Sequence, residues 1–175
     1  TLLQIDGEEA LLAAVRACWA SAFSCSASAY LAGRGAGSES SPNGLAMAVV
    51  VQQMVDASVS GVLFTANPTT GSVHELVISS VYGAGEGLVS AGLDADMYVV
   101  HKFTQERQTT LAVKCEQFIL DPQTRTGLVR ASVDQDLRSR SSLSDQQVER
   151  LAAAGKTIES FFERPQDIEF SFDRS

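Results

Sequence analysis

The sequence predicts an α+β domain, a mostly antiparallel sheet with flanking helices. Runs rich in Val, Ile, Phe and Tyr recur from residue 46 onward, separated by short turn-forming stretches. Short connections favour antiparallel neighbours, because parallel strands need long crossovers. Two further stretches, one towards each end, place apolar residues at helical spacing. The chain has 175 residues and no internal repeat, which suits one sizeable core.

Taken in order, the first helix is expected to start at Asp6, an N-cap whose reciprocal partner is Glu9. Leu11, Leu12, Val15, Trp19, Ala22 and Phe23 form its apolar stripe, and residues 24–32 continue as a second helical piece. Residues 33–44, glycine- and serine-rich, read as a surface loop. Strands are expected over 46–55, 59–66, 75–82, 97–103, 111–119 and 127–133, with turns at 67–71, 104–109 and 121–127. Ser144 and Gln147 make a second capping box, with Leu143 stapled onto Val148. Leu151, Ile158, Phe161 and Phe162 supply that helix's buried side, and Pro165 stops it. Residues 166–173 form the last strand. The whole of 1–175 reads as a single partial domain, with a helical segment over 1–45 and sheet plus helix over 46–175.

Composition narrows the function. A hydrophobic fraction of 45% with 19% charged residues describes a soluble globular chain, and a net charge of −8 argues against a nucleic-acid surface or a polybasic membrane patch. No apolar run reaches the roughly 18–20 residues that span a bilayer. The N-terminal stretch lacks a secretory pattern. Cys18, Cys25 and Cys115 show no Cys-x-x-Cys spacing, so they are expected to be reduced thiols of a cytoplasmic protein, with Cys18 and Cys25 filling a core. The chain opens on an apolar stretch and stops three residues after a strand-like one, with no flexible polar tail, which suggests a piece of something larger.

Two stretches can carry chemistry. In Asp167-Ile-Glu-Phe-Ser-Phe172, strand alternation puts Asp167, Glu169 and Ser171 on one side and Ile168, Phe170 and Phe172 on the other. Paired carboxylates on a rigid strand suit Mg²⁺, which takes carboxylate oxygens and fills its remaining positions with waters and phosphates. A solvated sheet face is the plain alternative. In Val-Val-Val-Gln52-Gln53-Met54-Val55, the Gln53 carbonyl and the Val55 N–H point the same way in an extended backbone. They can therefore meet the N6 donor and N1 acceptor of one adenine if that strand end is unpaired. Gln52 and Met54 then rim the pocket. A plain hairpin with a polar end is the alternative here.

Other candidates fall away. Gly83-Ala-Gly-Glu-Gly fails the dinucleotide fingerprint, because Leu88 stands where a glycine is required, and it lacks the Lys-Ser/Thr of a P-loop. Its glycines suit a tight, irregular turn. His74 and His101 read as structural. No nucleophile–base set and no zinc-type cluster is apparent, so no catalytic residue is assigned.

Val-Gln-Gln-Met-Val, Ser-Gly-Val-Leu-Phe-Thr-Ala-Asn-Pro-Thr-Thr-Gly, Glu-Leu-Val-Ile, Gly-Ala-Gly-Glu-Gly-Leu-Val-Ser, Asp-Met-Tyr-Val-Val and Pro-Gln-Asp-Ile-Glu-Phe follow one another in this order. This succession resembles the ATP-binding domain of the phosphoenolpyruvate synthase and pyruvate phosphate dikinase family, over nearly the whole chain. The resemblance implies an ATP-grasp fold, of which this is the C-terminal part of the nucleotide-binding domain. It implies ATP and Mg²⁺ as cofactors. Gln52, Gln53, Met54 and Val55 correspond to the hinge strand that holds adenine, and Asp167 and Glu169 to the acidic strand that holds Mg²⁺. Residues 64–67 and Glu75 line the same cleft. In that family the β-phosphate of ATP ends on a histidine of a separate swivelling domain, then passes to pyruvate in a barrel domain, giving phosphoenolpyruvate. Those two domains are the implied partners, with no nucleic acid and no membrane.

The chain departs from the pattern in places. The family's upstream lysine and Ser-Val-Arg-Ser-Ser-Ala-like segment, its closing Leu-Gln-x-Arg strand, and the phosphohistidine and barrel domains lie outside it. Gly-Ala-Gly-Glu-Gly replaces the usual Gly-Leu-Gly-Glu. Phosphoryl transfer depends on cations that neutralise spreading phosphate charge, and those would lie in the absent half. The isolated chain is therefore expected to bind Mg-ATP feebly and to turn over nothing. A rifamycin-type phosphotransferase ATP domain and a non-catalytic nucleotide-binding module are the alternatives.

Overall fold

A computed structural model describes residues 2–25, 47–89, 91–124 and 127–174, in two compact units that divide after Met54. The first unit carries helix α1 (Glu8–Ser21). Its N-cap is Gly7 with no side-chain cap, so the expected Asp6–Glu9 box does not form. Gly7 adopts φ +83°, which suits glycine, and the helix opens there. None of its side chains is buried, and Trp19 Nε1 donates to the Met47 carbonyl at 3.1 Å. The expected helical piece at 24–32 and loop at 33–44 fall mostly outside the described residues. Cys25 and Cys115 are exposed and Cys18 half-buried, so these free thiols do not fill a core.

The second unit is built on a five-stranded sheet in the order β4-β3-β2-β1-β7, antiparallel throughout. Its strands are β1 (Ala57–Phe64), β2 (Glu75–Tyr82), β3 (Asp96–His101), β4 (Arg107–Thr110) and β7 (Asp167–Asp173). A separate hairpin pairs β5 (Glu116–Leu120) with β6 (Leu128–Ser132). The one-turn helix α2 (Glu86–Val89) sits within the glycine-rich stretch, where only an irregular turn was expected. Helix α3 (Asp145–Phe162) packs on β1 and β2. Among the described residues no helix is long and apolar enough to cross a membrane.

The expected strand at 46–55 is not there: residues 47–56 form no regular structure. The valines have the propensity, but a strand exists only through pairing. Both flanks of β1 are taken, by β2 on one side and β7 on the other. The stretch 111–119 divides in the same way, into an irregular 111–115 and β5. Arg107–Thr110, expected as part of a turn, pairs with β3 as a short, wholly exposed edge strand.

One sheet face and α3 enclose the core. Leu63, Leu76, Ile78, Tyr98 and Val100 meet Leu143, Val148, Leu151 and Ala152, with Ile168, Phe170 and Phe172 of β7 packed alongside. The capping box at Ser144 forms as expected: its hydroxyl accepts from Gln147 N, and the Gln147 side chain accepts from Ser144 N at 2.8 Å. Phe161 and Phe162, expected in the buried side, are exposed. The buried stripe runs Val148, Leu151, Ala152 and Gly155, and Phe161 falls off it. At Gly61 a Cβ would collide with the Ser79 carbonyl oxygen and stand 2.6 Å from Phe170 Cζ, so only glycine leaves room there for both. Gly83 has φ +74°, and any Cβ there would collide with the Phe118 carbonyl, to which Ala84 N donates at 2.8 Å. That contact joins the sheet to the β5–β6 hairpin.

A buried polar knot fastens one end of the sheet. Lys114 Nζ lies 2.6 Å from Asp96 Oδ1, with both side chains almost wholly inaccessible. Asp96 also accepts from Ala112 N (2.9 Å), Ser142 N (2.8 Å) and Ser142 Oγ (2.7 Å). Beside it, burial and then the Asp96 charge push the Tyr82 phenol above its ordinary value, so it stays a neutral donor to the Leu137 carbonyl. At the β5–β6 turn, the Thr124 hydroxyl and the Gln123 N–H hold the Asp121 carboxyl below its usual range.

Candidate functional site

The face of the sheet turned away from α3 carries the candidate acids. The registers Val62↔Glu169, Phe64↔Asp167 and Phe64↔Val77 put residues that oppose one another on the same face. Glu169 thus begins a row through Val62, Ser79 and Met97, and Asp167 a row through Phe64, Val77 and Val99. Glu75, two residues before Val77, lies on this face opposite His101. Asp167, Glu169 and Glu75 therefore share one face, with apolar side chains between them.

Edge strand β7 holds its two acids firmly. Its exposure alternates strictly: Asp167, Glu169, Ser171 and Asp173 are exposed, while Ile168, Phe170 and Phe172 are half-buried. Thr65 N donates to the Gln166 carbonyl (2.9 Å) and Gln166 N to Thr65 Oγ1 (2.7 Å), which clamps the strand just before Asp167. Ser171 and Ser60 bond through their hydroxyls at 2.9 Å. Ser58 Oγ donates to the Phe172 and Asp173 carbonyls across the register shift at Ala57. Among the described residues, neither the Asp167 nor the Glu169 side chain has a hydrogen bond or an ion pair. The ion pairs among the described residues lie at Lys102–Glu159, Arg107–Asp145, Lys114–Asp96, Arg130–Glu116 and Arg174–Asp56, none of them at Asp167, Glu169 or Glu75.

Glu75 is held differently. The turn from β1 to β2 is the Asn-Pro-Thr-Thr-Gly stretch read from the sequence. Asn67 Oδ1 accepts from Thr69 N (3.0 Å) and Thr70 N (3.2 Å), an Asx turn, and Gly71 N donates to the Asn67 carbonyl. Asn67 Nδ2 then donates to Glu75 Oε2 at 2.7 Å. The turn signal was legible in the residues, but the bond to Glu75 was not. His101 Nδ1 accepts from Thr104 N at 3.1 Å, the structural use expected of that histidine.

Gln52, Gln53, Met54 and Val55 lie in the irregular stretch, all exposed and outside any ladder. A backbone clamp on adenine is therefore not imposed by strand geometry. The carboxylates suit a nucleotide-bound Mg²⁺ by their donor chemistry: among the described residues no group of three or more possible ligands forms a cage. Mg²⁺ on a nucleotide needs only one or two carboxylates, the phosphates and water supplying the rest.

The second unit thus has an antiparallel sheet with a helix on one face and Asp167, Glu169 and Glu75 on the other. The family model for the pyruvate phosphate dikinase AMP/ATP-binding domain matches residues 1–175, and the chain belongs to that family. An uncharacterized phosphotransferase, YvkC, of Bacillus subtilis is 38% identical, over 97% of this chain and 20% of its own length. Phosphoenolpyruvate synthase of Pyrococcus furiosus is 34% identical, over 99% and 21%. Rifampicin phosphotransferase of Bacillus cereus is 32% identical, over 97% and 19%. The chain thus spans about a fifth of the length of these relatives.

Proposed function

We propose that this chain is a single partial domain of ATP-grasp type in a cytoplasmic phosphotransferase, which moves phosphate from ATP to a histidine of a separate domain and on to pyruvate. The observation that carries this reading is the pair Asp167 and Glu169, on a clamped edge strand with side chains unengaged among the described residues, in a chain of an ATP-binding family. Mg²⁺ held there would screen the phosphates' charge during transfer. The chain's own residues bind and orient. Asp167 and Glu169 grip the metal, Glu75 lines the same cleft, and Gln52–Val55 take the adenine. Because 47–56 is irregular, we assign its ordering to the nucleotide itself.

Rifampicin is the second candidate acceptor, since a rifampicin phosphotransferase is about as similar as the synthases. The test is to incubate the full-length protein with ATP labelled at the β-phosphate. An acid-labile protein label discharged by pyruvate is expected. Discharge by rifampicin alone selects the second acceptor, and absence of any label despite nucleotide binding refutes transfer.

A further inference from the structure

We propose that Asn67 is a positioning residue for the nucleotide site, fixing the direction in which Glu75 presents its carboxylate; this rests on the reading of that sheet face given above. Asn67 is buried, and its side chain is fastened at both ends. The N–H groups of Thr69 and Thr70 require an acceptor, which fixes Oδ1 towards them and leaves Nδ2 towards Glu75 Oε2 at 2.7 Å. The backbone is held as well, by Asn67 N donating to the Ser72 carbonyl at 2.9 Å and Gly71 N donating to the Asn67 carbonyl at 2.8 Å. A rigid turn thus aims one amide donor at one carboxylate oxygen.

The choice of donor matters. A lysine or arginine at this point would cancel the Glu75 charge, whereas a neutral amide orients it and leaves it in place. With Oε2 occupied, Oε1 is the oxygen left to meet a ligand on the face that Glu75 shares with Asp167 and Glu169. A glutamate on a free stem would have to be ordered by the ligand. Asn67 does this beforehand.

The experiment is calorimetry with Mg-ATP on the full-length protein. Asn67→Ala is expected to weaken binding about tenfold, and to add little in a Glu75→Gln background. Asn67→Asp keeps the acceptor for Thr69 and Thr70 but faces Glu75 with a second carboxylate. It should bind at least about tenfold more weakly, and the loss should shrink in Asn67→Asp/Glu75→Gln, where the new amide supplies a donor between the two side chains. Equal losses from Asn67→Ala in both backgrounds, no loss at all, or an Asn67→Asp loss undiminished by Glu75→Gln would each overturn the proposal. If Glu169→Gln weakens binding but Glu75→Gln does not, the proposal fails and the nucleotide face stands. If neither does, both fail.

Discussion

Replacing Lys114 by Met is expected to lower folding stability by about 3–5 kcal/mol, because it strands the buried Asp96 charge. For a domain of this size that corresponds to roughly 6–20 °C in Tm. Asp96 would keep its bonds from Ala112 N, Ser142 N and Ser142 Oγ, yet three neutral donors do not cancel a carboxylate of negligible exposure. The loss should appear as a lower urea midpoint with an unchanged slope. Asp96 pairs with Ser80 and His101 with Glu75, so along β3 the knot lies about 17 Å from Glu75, and three strand spacings, about 14 Å, separate it from β7. Nucleotide affinity should therefore survive wherever the variant is folded. A change below about 1 kcal/mol would mean that Lys114 is not buried as a paired charge.

Glu169→Gln is expected to do the reverse. The fold should hardly notice, since the side chain is exposed and makes no bond among the described residues; the midpoint should move by less than about 0.5 kcal/mol. Formation of the labelled phosphoprotein from ATP should fall by about 10²–10³, the size of effect seen when one group that stabilises transition-state charge is removed. Gln keeps the shape and the oxygen of Glu but lacks the charge a hard cation needs. Undiminished labelling would remove Glu169 from the site.

What was legible in the sequence was whatever local pattern decides. Strand β2 was read to the residue as 75–82, because its ends are marked by turn chemistry and a glycine. The alternation of β7 followed from period two, and the Ser144 cap from its Gln147 partner. Features decided by distant pairing were not legible. The valines at 49–51 signalled a strand, but the neighbours of β1 are β2 and, more than a hundred residues later, β7. Arg107–Thr110 has no apolar side chain to announce an edge strand. Lys114 and Asp96 are joined through an excursion of the chain that no spacing rule covers. In the candidate site, the acids were visible as an alternating pair, but the bond that orients Glu75 depends on how a turn folds back.

The proposed function requires one nucleotide to engage both the acids of β7 and the glutamine-bearing stretch at 52–55. Photolabelling of the full-length protein with 8-azido-ATP and Mg²⁺, followed by peptide mapping, tests this most directly. The predicted result is a label on the peptide containing Gln52–Val55, lost in Glu169→Gln and lost when Mg²⁺ is withdrawn. A label on another peptide, or one on 52–55 that persists in Glu169→Gln, would contradict it.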